Sequence, residues 1–216
     1  MPLAENAVIL FQGDSITDCG RARDNERANH VHALGRGYAG TIAGYLLCDH
    51  PAAGWQFHNR GISGHRVTDL YARWRKDCIH LCPALVSILV GINDVGHGLG
   101  RDDGVEPERF ATIYRLLLTY TRECLPTVQF VLCEPFALLT GNVDERWLPL
   151  VEQRQAIVRE LATEFDATLV PFGTMFAQAL ERAPAAFWAD DGVHPTPAGH
   201  ELMARTWLAH TIGLFT

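Results

Sequence analysis

Five short apolar runs punctuate the chain, at Ala7 to Phe11, Gln56 to His58, Leu85 to Val90, Val128 to Cys133 and Thr168 to Pro171, each rich in β-branched or aromatic residues. The longer runs stay apolar at consecutive positions, as strands do when both of their faces are buried. Between them lie segments of mixed apolar and polar positions, each long enough for a helix: Tyr38 to His50, Val67 to Cys82, Pro107 to Cys124, Leu148 to Phe165 and Phe172 to Ala183. Pro197 to Ile212 closes the chain in the same way. The order is strand then helix, five times over. It predicts an α/β protein built as a three-layer α/β/α sandwich, because right-handed crossovers place helices on both faces of a parallel sheet. Such sheets bind ligands beyond the carboxyl ends of their strands, where the strand order reverses.

No linker, repeat or low-complexity tract interrupts this alternation, so residues 1–216 are expected to form one domain. At 216 residues and 48% hydrophobic content the chain can bury a substantial core. No apolar run approaches the roughly 20 residues of a membrane span. Met1 to Asn6 lacks the basic start of an export signal, and Ala7 to Phe11 is too short for its apolar part, so a cytoplasmic setting is expected. Most of the six cysteines (Cys19, Cys48, Cys78, Cys82, Cys124 and Cys133) fall in apolar segments, where a free thiol behaves as a small hydrophobe, which suits a reducing compartment. Cys78 and Cys82 flank His80, but no second ligand pair has matching spacing, and buried thiols are expected there rather than a metal. The net charge of -7 opposes partnership with nucleic acid or an anionic membrane surface and favours a small neutral substrate.

If the sheet carries a site, polar motifs should follow the strands, and they do. Gly13-Asp14-Ser15-Ile16-Thr17 follows the first run, Asn59-Arg60-Gly61-Ile62-Ser63-Gly64 the second and Gly91-Ile92-Asn93-Asp94 the third. Asp191-Gly192-Val193-His194 precedes the last helix in a loop stiffened by Pro195 and Pro197. Each motif alone has an ordinary reading as a helix cap, a turn or a loop histidine. All four together bring the residue types that acyl transfer needs. A serine hydroxyl is a weak nucleophile at neutral pH, so an imidazole must take its proton and a carboxylate must orient the imidazole.

These four blocks resemble the signature blocks of the SGNH, or GDSL-type, hydrolases in order and spacing over nearly the whole chain. The resemblance implies a flavodoxin-like five-stranded parallel sheet and cofactor-free hydrolysis of esters or thioesters. It also implies roles: Ser15 as nucleophile, His194 as general base and acid, and Asp191 as the orienting carboxylate. Asp190 is a competing carboxylate, but its spacing to His194 departs from Asp-x-x-His. The oxyanion would be met by the backbone N–H groups of Ser15 and Gly61 and by the side-chain amide of Asn93. The chain lacks the Gly-x-Ser-x-Gly elbow of the α/β-hydrolases, and its nucleophile stands at the front. Within the superfamily the extended blocks are most similar to the intracellular acetylxylan esterases.

Substrate identity is read less directly. Trp188, three residues before Asp191, is expected to offer an aromatic face to a sugar ring, with packing beside Phe187 as the alternative. Asp14, next to the nucleophile, is a further candidate for substrate contact. Asp18 to Gly37 is a long polar stretch, expected to form either a rim of the cleft or a contact between subunits. Composition is compatible with a monomer or a homo-oligomer. The reading is a serine esterase removing short acyl groups, above all acetyl, from a carbohydrate such as a xylo-oligosaccharide. Its rivals are a lysophospholipase or acyl-thioesterase on the same fold and, more remotely, a carbohydrate-binding protein without chemistry.

Overall fold

The computed structural model describes residues 2–215. Its strands are β1 (Val8–Gly13), β2 (Gln56–Asn59), β3 (Leu85–Leu89), β4 (Gln129–Cys133) and β5 (Thr168–Val170). The helices are α1 (Ser15–Asp18), α2 (Val31–Leu34), α3 (Tyr38–Asp49), α4 (Val67–Asp77), α5 (Ile92–Arg101), α6 (Pro107–Cys124), α7 (Trp147–Glu164), α8 (Phe172–Ala179), α9 (Ala185–Trp188) and α10 (Pro197–Thr211). All strand pairs are parallel, in the order β2-β1-β3-β4-β5. This is the flavodoxin-like order, whose reversal falls between β1 and β3.

Consecutive apolar positions do bury both faces. Ile9 and Phe11 of β1 pack with Tyr38, Ile42, Met203 and Trp207 from α3 and α10, while Leu10 between them packs with Leu70 and Trp74 of α4 and Tyr114 of α6. β3 is buried at every position. Even its polar Ser87 is satisfied, accepting a hydrogen bond from the indole of Trp207 at 3.0 Å.

The structure corrects three boundaries. β1 runs on through Gln12 and Gly13, because they pair in register with Ile88 and Leu89 of β3 despite their polarity. The helix expected to reach Cys82 stops at Asp77 and gives way to a single tight turn, Ile79–Leu81, ending in the left-handed conformation at Cys82. The helix from Phe172 ends at Ala179 rather than Ala183.

Four helices lie outside the expected segments, the four-residue α1, α2 and α9 and the ten-residue α5. Three glycines within Ile92–Arg101 argue against a helix on propensity. Gly96 is there for packing, since a Cβ on it would stand 2.6 Å from the Trp147 ring, and Gly104 beyond the helix is needed as well, because a Cβ on it would stand 2.7 Å from Gly98 Cα.

The cysteine reading changes too. Cys78 and Cys133 are buried, but Cys48, Cys82 and Cys124 are exposed, and all six thiols are free. Helical periodicity explains Cys48 and Cys124, which fall on the wet faces of α3 and α6, while Cys82 lies just past the tight turn after α4.

The polar stretch Asp18 to Gly37 is folded rather than loose. Asn29 brackets the edge strand β2, its side chain accepting from Phe57 N–H at 2.7 Å and its backbone N–H donating to Phe57 O at 3.1 Å. The segment thereby covers part of a sheet edge that would otherwise stand open.

Candidate active site

The nucleophile candidate is placed by the turn from β1 into α1. A Cβ on Gly13 would come within 2.3 Å of Leu89 O, so only glycine lets the chain pass β3 this closely. Asp14 then caps α1, its Oδ1 accepting from Ile16 N–H at 3.0 Å. Ser15 is the first helical residue, and its N–H belongs to the opening turn, which has no carbonyl four residues back to use.

The loop before α10 supplies the partner groups. Gly192 has φ +86°, and a Cβ there would meet the carbonyls of Leu138 and Thr140 at 2.5 Å, so the tight turn requires glycine. Asp191 Oδ1 accepts from the N–H groups of Val193 and His194 at 2.9 and 2.7 Å, and its Oδ2 lies 2.6 Å from His194 Nδ1. On the far side of the ring, His194 Nε2 stands 2.8 Å from Ser15 Oγ. With Nδ1–H donated to the carboxylate, Nε2 is free to accept the serine proton. Burial raises the Asp191 pKa, but the His194 ring and the loop N–H groups outweigh it and leave it below the usual carboxylate value. Asp190 is exposed, and it is Asp191 that reaches the ring. Ser63 donates its hydroxyl to Asp18 Oδ2 at 3.0 Å.

Asn93, in the first turn of α5, joins Ser15 and His194 in lining a cleft of about 490 Å³. Gly61 does not. Its N–H is spent on Asn59 Oδ1 at 2.9 Å, its carbonyl accepts from Arg21 Nε at 2.8 Å, and a Cβ there would strike the backbone of Thr17 and Asp18. Gly61 is a packing glycine beneath the nucleophile turn. The glycine at the cleft is Gly64, whose φ is +83° and whose N–H has no acceptor among the described residues. The sequence offers both glycines in one motif and carries no local sign of which N–H stays free.

Two proposed substrate contacts are overturned. Trp188 is 4% exposed, its indole N–H donates to Ala179 O and Ala183 O, and Arg182 covers its ring. The apolar core captures the tryptophan, and its neighbour Phe187 is the exposed ring at 53%. Asp14 is 1% exposed and turned away from the cleft by its capping bond.

Asp14 carries a pH signature instead. Desolvation pushes its carboxyl up to about 7, against the opposing pull of Ile16 N–H and His194, and its Oδ2 meets no donor. Above the unfolded value of 3.8 the unfolded chain has lost this proton while the folded protein keeps it, so stability falls as pH rises toward 7 and is flat beyond. The slope is at most roughly 1.4 kcal/mol per pH unit. Asp14→Asn, which keeps the capping oxygen, should therefore gain stability relative to the parent between pH 5 and pH 8 in urea unfolding. An unchanged difference at the two pH values would mean that Asp14 does not titrate in this window.

The rest of the cleft escaped the sequence reading. Arg66 is fixed at its wall by Asp69 (3.0 Å) and Asp103 (2.5 Å), with His65, His97 and Arg101 alongside. These residues are scattered over two loops and two helices, and no local pattern marks them.

A model of the GDSL-like lipase/acylhydrolase family matches residues 11–202. A curated acetylxylan esterase of Geobacillus stearothermophilus is 35% identical over 212 residues, covering 96% of this chain and 95% of that protein. Its crystal structure superposes with a TM-score of 0.88, covering 97% of this chain and 96% of that one. Variants of that enzyme described as catalytic mutants are S15A, D191A and H194A, the same residue types at the same numbers as here. A protein of Parabacteroides merdae described as a GDSL-like lipase is 42% identical, with a TM-score of 0.95 over 98% of both chains.

Proposed function

We propose, from the premise that the chain belongs to the GDSL-like lipase/acylhydrolase family and is a carboxylic ester hydrolase, that it removes acetyl groups from carbohydrates such as acetylated xylo-oligosaccharides. The observation that carries the proposal is the unbroken chain from Ser15 Oγ through the His194 ring to the Asp191 carboxylate, with spacings of 2.8 and 2.6 Å, at the floor of a polar cleft. Ser15 attacks the acyl carbon while His194 takes its proton, and Asp191 stabilises the imidazolium that forms. The oxyanion is met by the N–H groups of Ser15 and Gly64 and by the Asn93 amide, in place of the Gly61 donor expected from sequence. Collapse of the intermediate expels the sugar alkoxide, which receives the proton from His194. Water, deprotonated by the same ring, then releases acetate and frees Ser15.

The alcohol half of the ester meets Arg66, Asp103, His65 and His97, groups that pair with hydroxyls rather than with an alkyl chain. This favours a sugar over a lysophospholipid or a long-chain thioester. A cytoplasmic setting, acting on imported oligomers, suits the three exposed thiols.

Acyl specificity tests the reading. A buried methylene adds about 0.8 kcal/mol in an open groove but costs about 1 to 3 kcal/mol when forced into a packed pocket. On aryl esters, kcat/KM should be highest for acetyl and fall through butyryl to octanoyl, and acetylated xylo-oligosaccharides should lose their acetyl groups. Efficiency that rises with chain length while acetylated sugars stay intact would replace this reading with the lipid or thioester one.

A further inference from the structure

Arg73 lies on α4, outside all four motif blocks, and its side chain is only 13% exposed. Its guanidinium makes three directed contacts: Nε donates to His65 Nδ1 at 3.1 Å, Nη1 to Asp77 Oδ2 at 2.9 Å and Nη2 to Gly13 O at 3.3 Å. Gly13 stands two residues before Ser15. His65 follows Gly64, and its carbonyl accepts from Asn93 Nδ2 at 3.1 Å. One side chain thus bears on the turn that carries Ser15, on the loop that carries Gly64 and, through His65, on the amide of Asn93.

We propose that Arg73 is a positioning residue for the oxyanion hole, an inference that rests on the esterase reading of this site. The His65 carbonyl can accept only from the nitrogen of the Asn93 amide, so this bond decides which way the amide is turned. It uses one of the two hydrogens on Nδ2 and leaves the other for the oxyanion. His65 is itself held at two points, by its N–H on Ile62 O at 3.2 Å and by its ring on Arg73. The ring contact is the one that reaches across to α4, a rigid element. Arg73 is anchored there by the ion pair one helical turn on, with Asp77, whose carbonyl also accepts from the buried Gln12 side chain at 2.8 Å. A lysine at position 73 would keep the charge but lack the planar fork that meets three acceptors at once.

The test uses Arg73→Met and Arg73→Lys in the full chain, with active sites counted by organophosphate labelling of Ser15. Per labelled site, kcat should fall about 3- to 30-fold in both variants, with KM changed far less. In an Asn93→Ala background the Arg73→Met change should lower kcat by no more than about twofold, because residues acting through one group are not additive. If Arg73→Met fails to fold, His65→Ala tests the same link, since it removes the ring that Arg73 holds but keeps the carbonyl. Its kcat loss should likewise shrink once Asn93 is gone. An unchanged kcat per labelled site, with only the melting temperature lowered, would overturn the proposal. So would a loss that persists undiminished without Asn93. Absence of any adduct on Ser15 in folded parent protein would overturn the esterase reading itself, and that outcome is distinct from the other two.

Discussion

Ser15→Ala and His194→Ala should each remove nearly all ester hydrolysis, by up to about 10⁶-fold in kcat, while the circular dichroism spectrum stays that of the parent. The losses should not add, and the double variant should be about as inactive as either single one. The reason is geometric. Ser15 Oγ and His194 Nε2 share one hydrogen bond of 2.8 Å, so removing either end abolishes the same proton transfer. Neither side chain supports the core: the His194 side chain is 54% exposed, and the α1 cap comes from Asp14 rather than Ser15. Normal turnover by folded Ser15→Ala protein would overturn the assignment. Ser63 would then be the serine to test, although its hydroxyl is committed to Asp18.

Asn93→Ala is the second large effect. It deletes an amide donor at the cleft while leaving the Ser15, His194 and Asp191 chain intact. By analogy with other oxyanion donors, kcat should fall about 10²- to 10³-fold. KM should change much less, because charge on the oxygen appears only as the transition state forms. Steady-state kinetics on an aryl acetate separates the two constants. An unchanged kcat with a greatly raised KM would move Asn93 from the oxyanion to substrate binding.

Much of the architecture is legible in the chain because it depends on local composition. Val8 to Phe11 is apolar without interruption and Leu85 to Leu89 is broken only by Ser87, as suits strands covered on both faces. The alternation of such runs with longer amphipathic stretches, under the handedness of crossovers, leaves a three-layer sandwich. A site at the carboxyl edge follows because the polar blocks sit directly after strands. Ser15, a carboxylate and His194 answer the chemical needs of acyl transfer at positions the topology supplies, while the choice of Asp191 and the role expected of Asn93 came from the resemblance to the SGNH hydrolases.

What the sequence could not carry were the choices made by contacts between distant segments. Helix α5 forms against the propensity of its three glycines, one of which, Gly96, packs where a Cβ would stand 2.6 Å from the Trp147 ring. The motif around position 60 contains two glycines, and nothing local says which N–H is free. Asn59 consumes that of Gly61, and a left-handed turn leaves that of Gly64 at the cleft. Trp188 is close to Asp191 in sequence, but its ring is drawn into the core, where hydrophobic burial outweighs any role at the surface. The cleft wall is assembled from His65, Arg66, His97 and Asp103, which share no local pattern, because they come from the loop before α4, from α5 and from the loop that follows α5. Residue types and strand order, the local properties, were therefore determined by the sequence itself. Which groups face the cleft, and which face one another, was decided by packing across 179 residues of separation, as between Ser15 and His194.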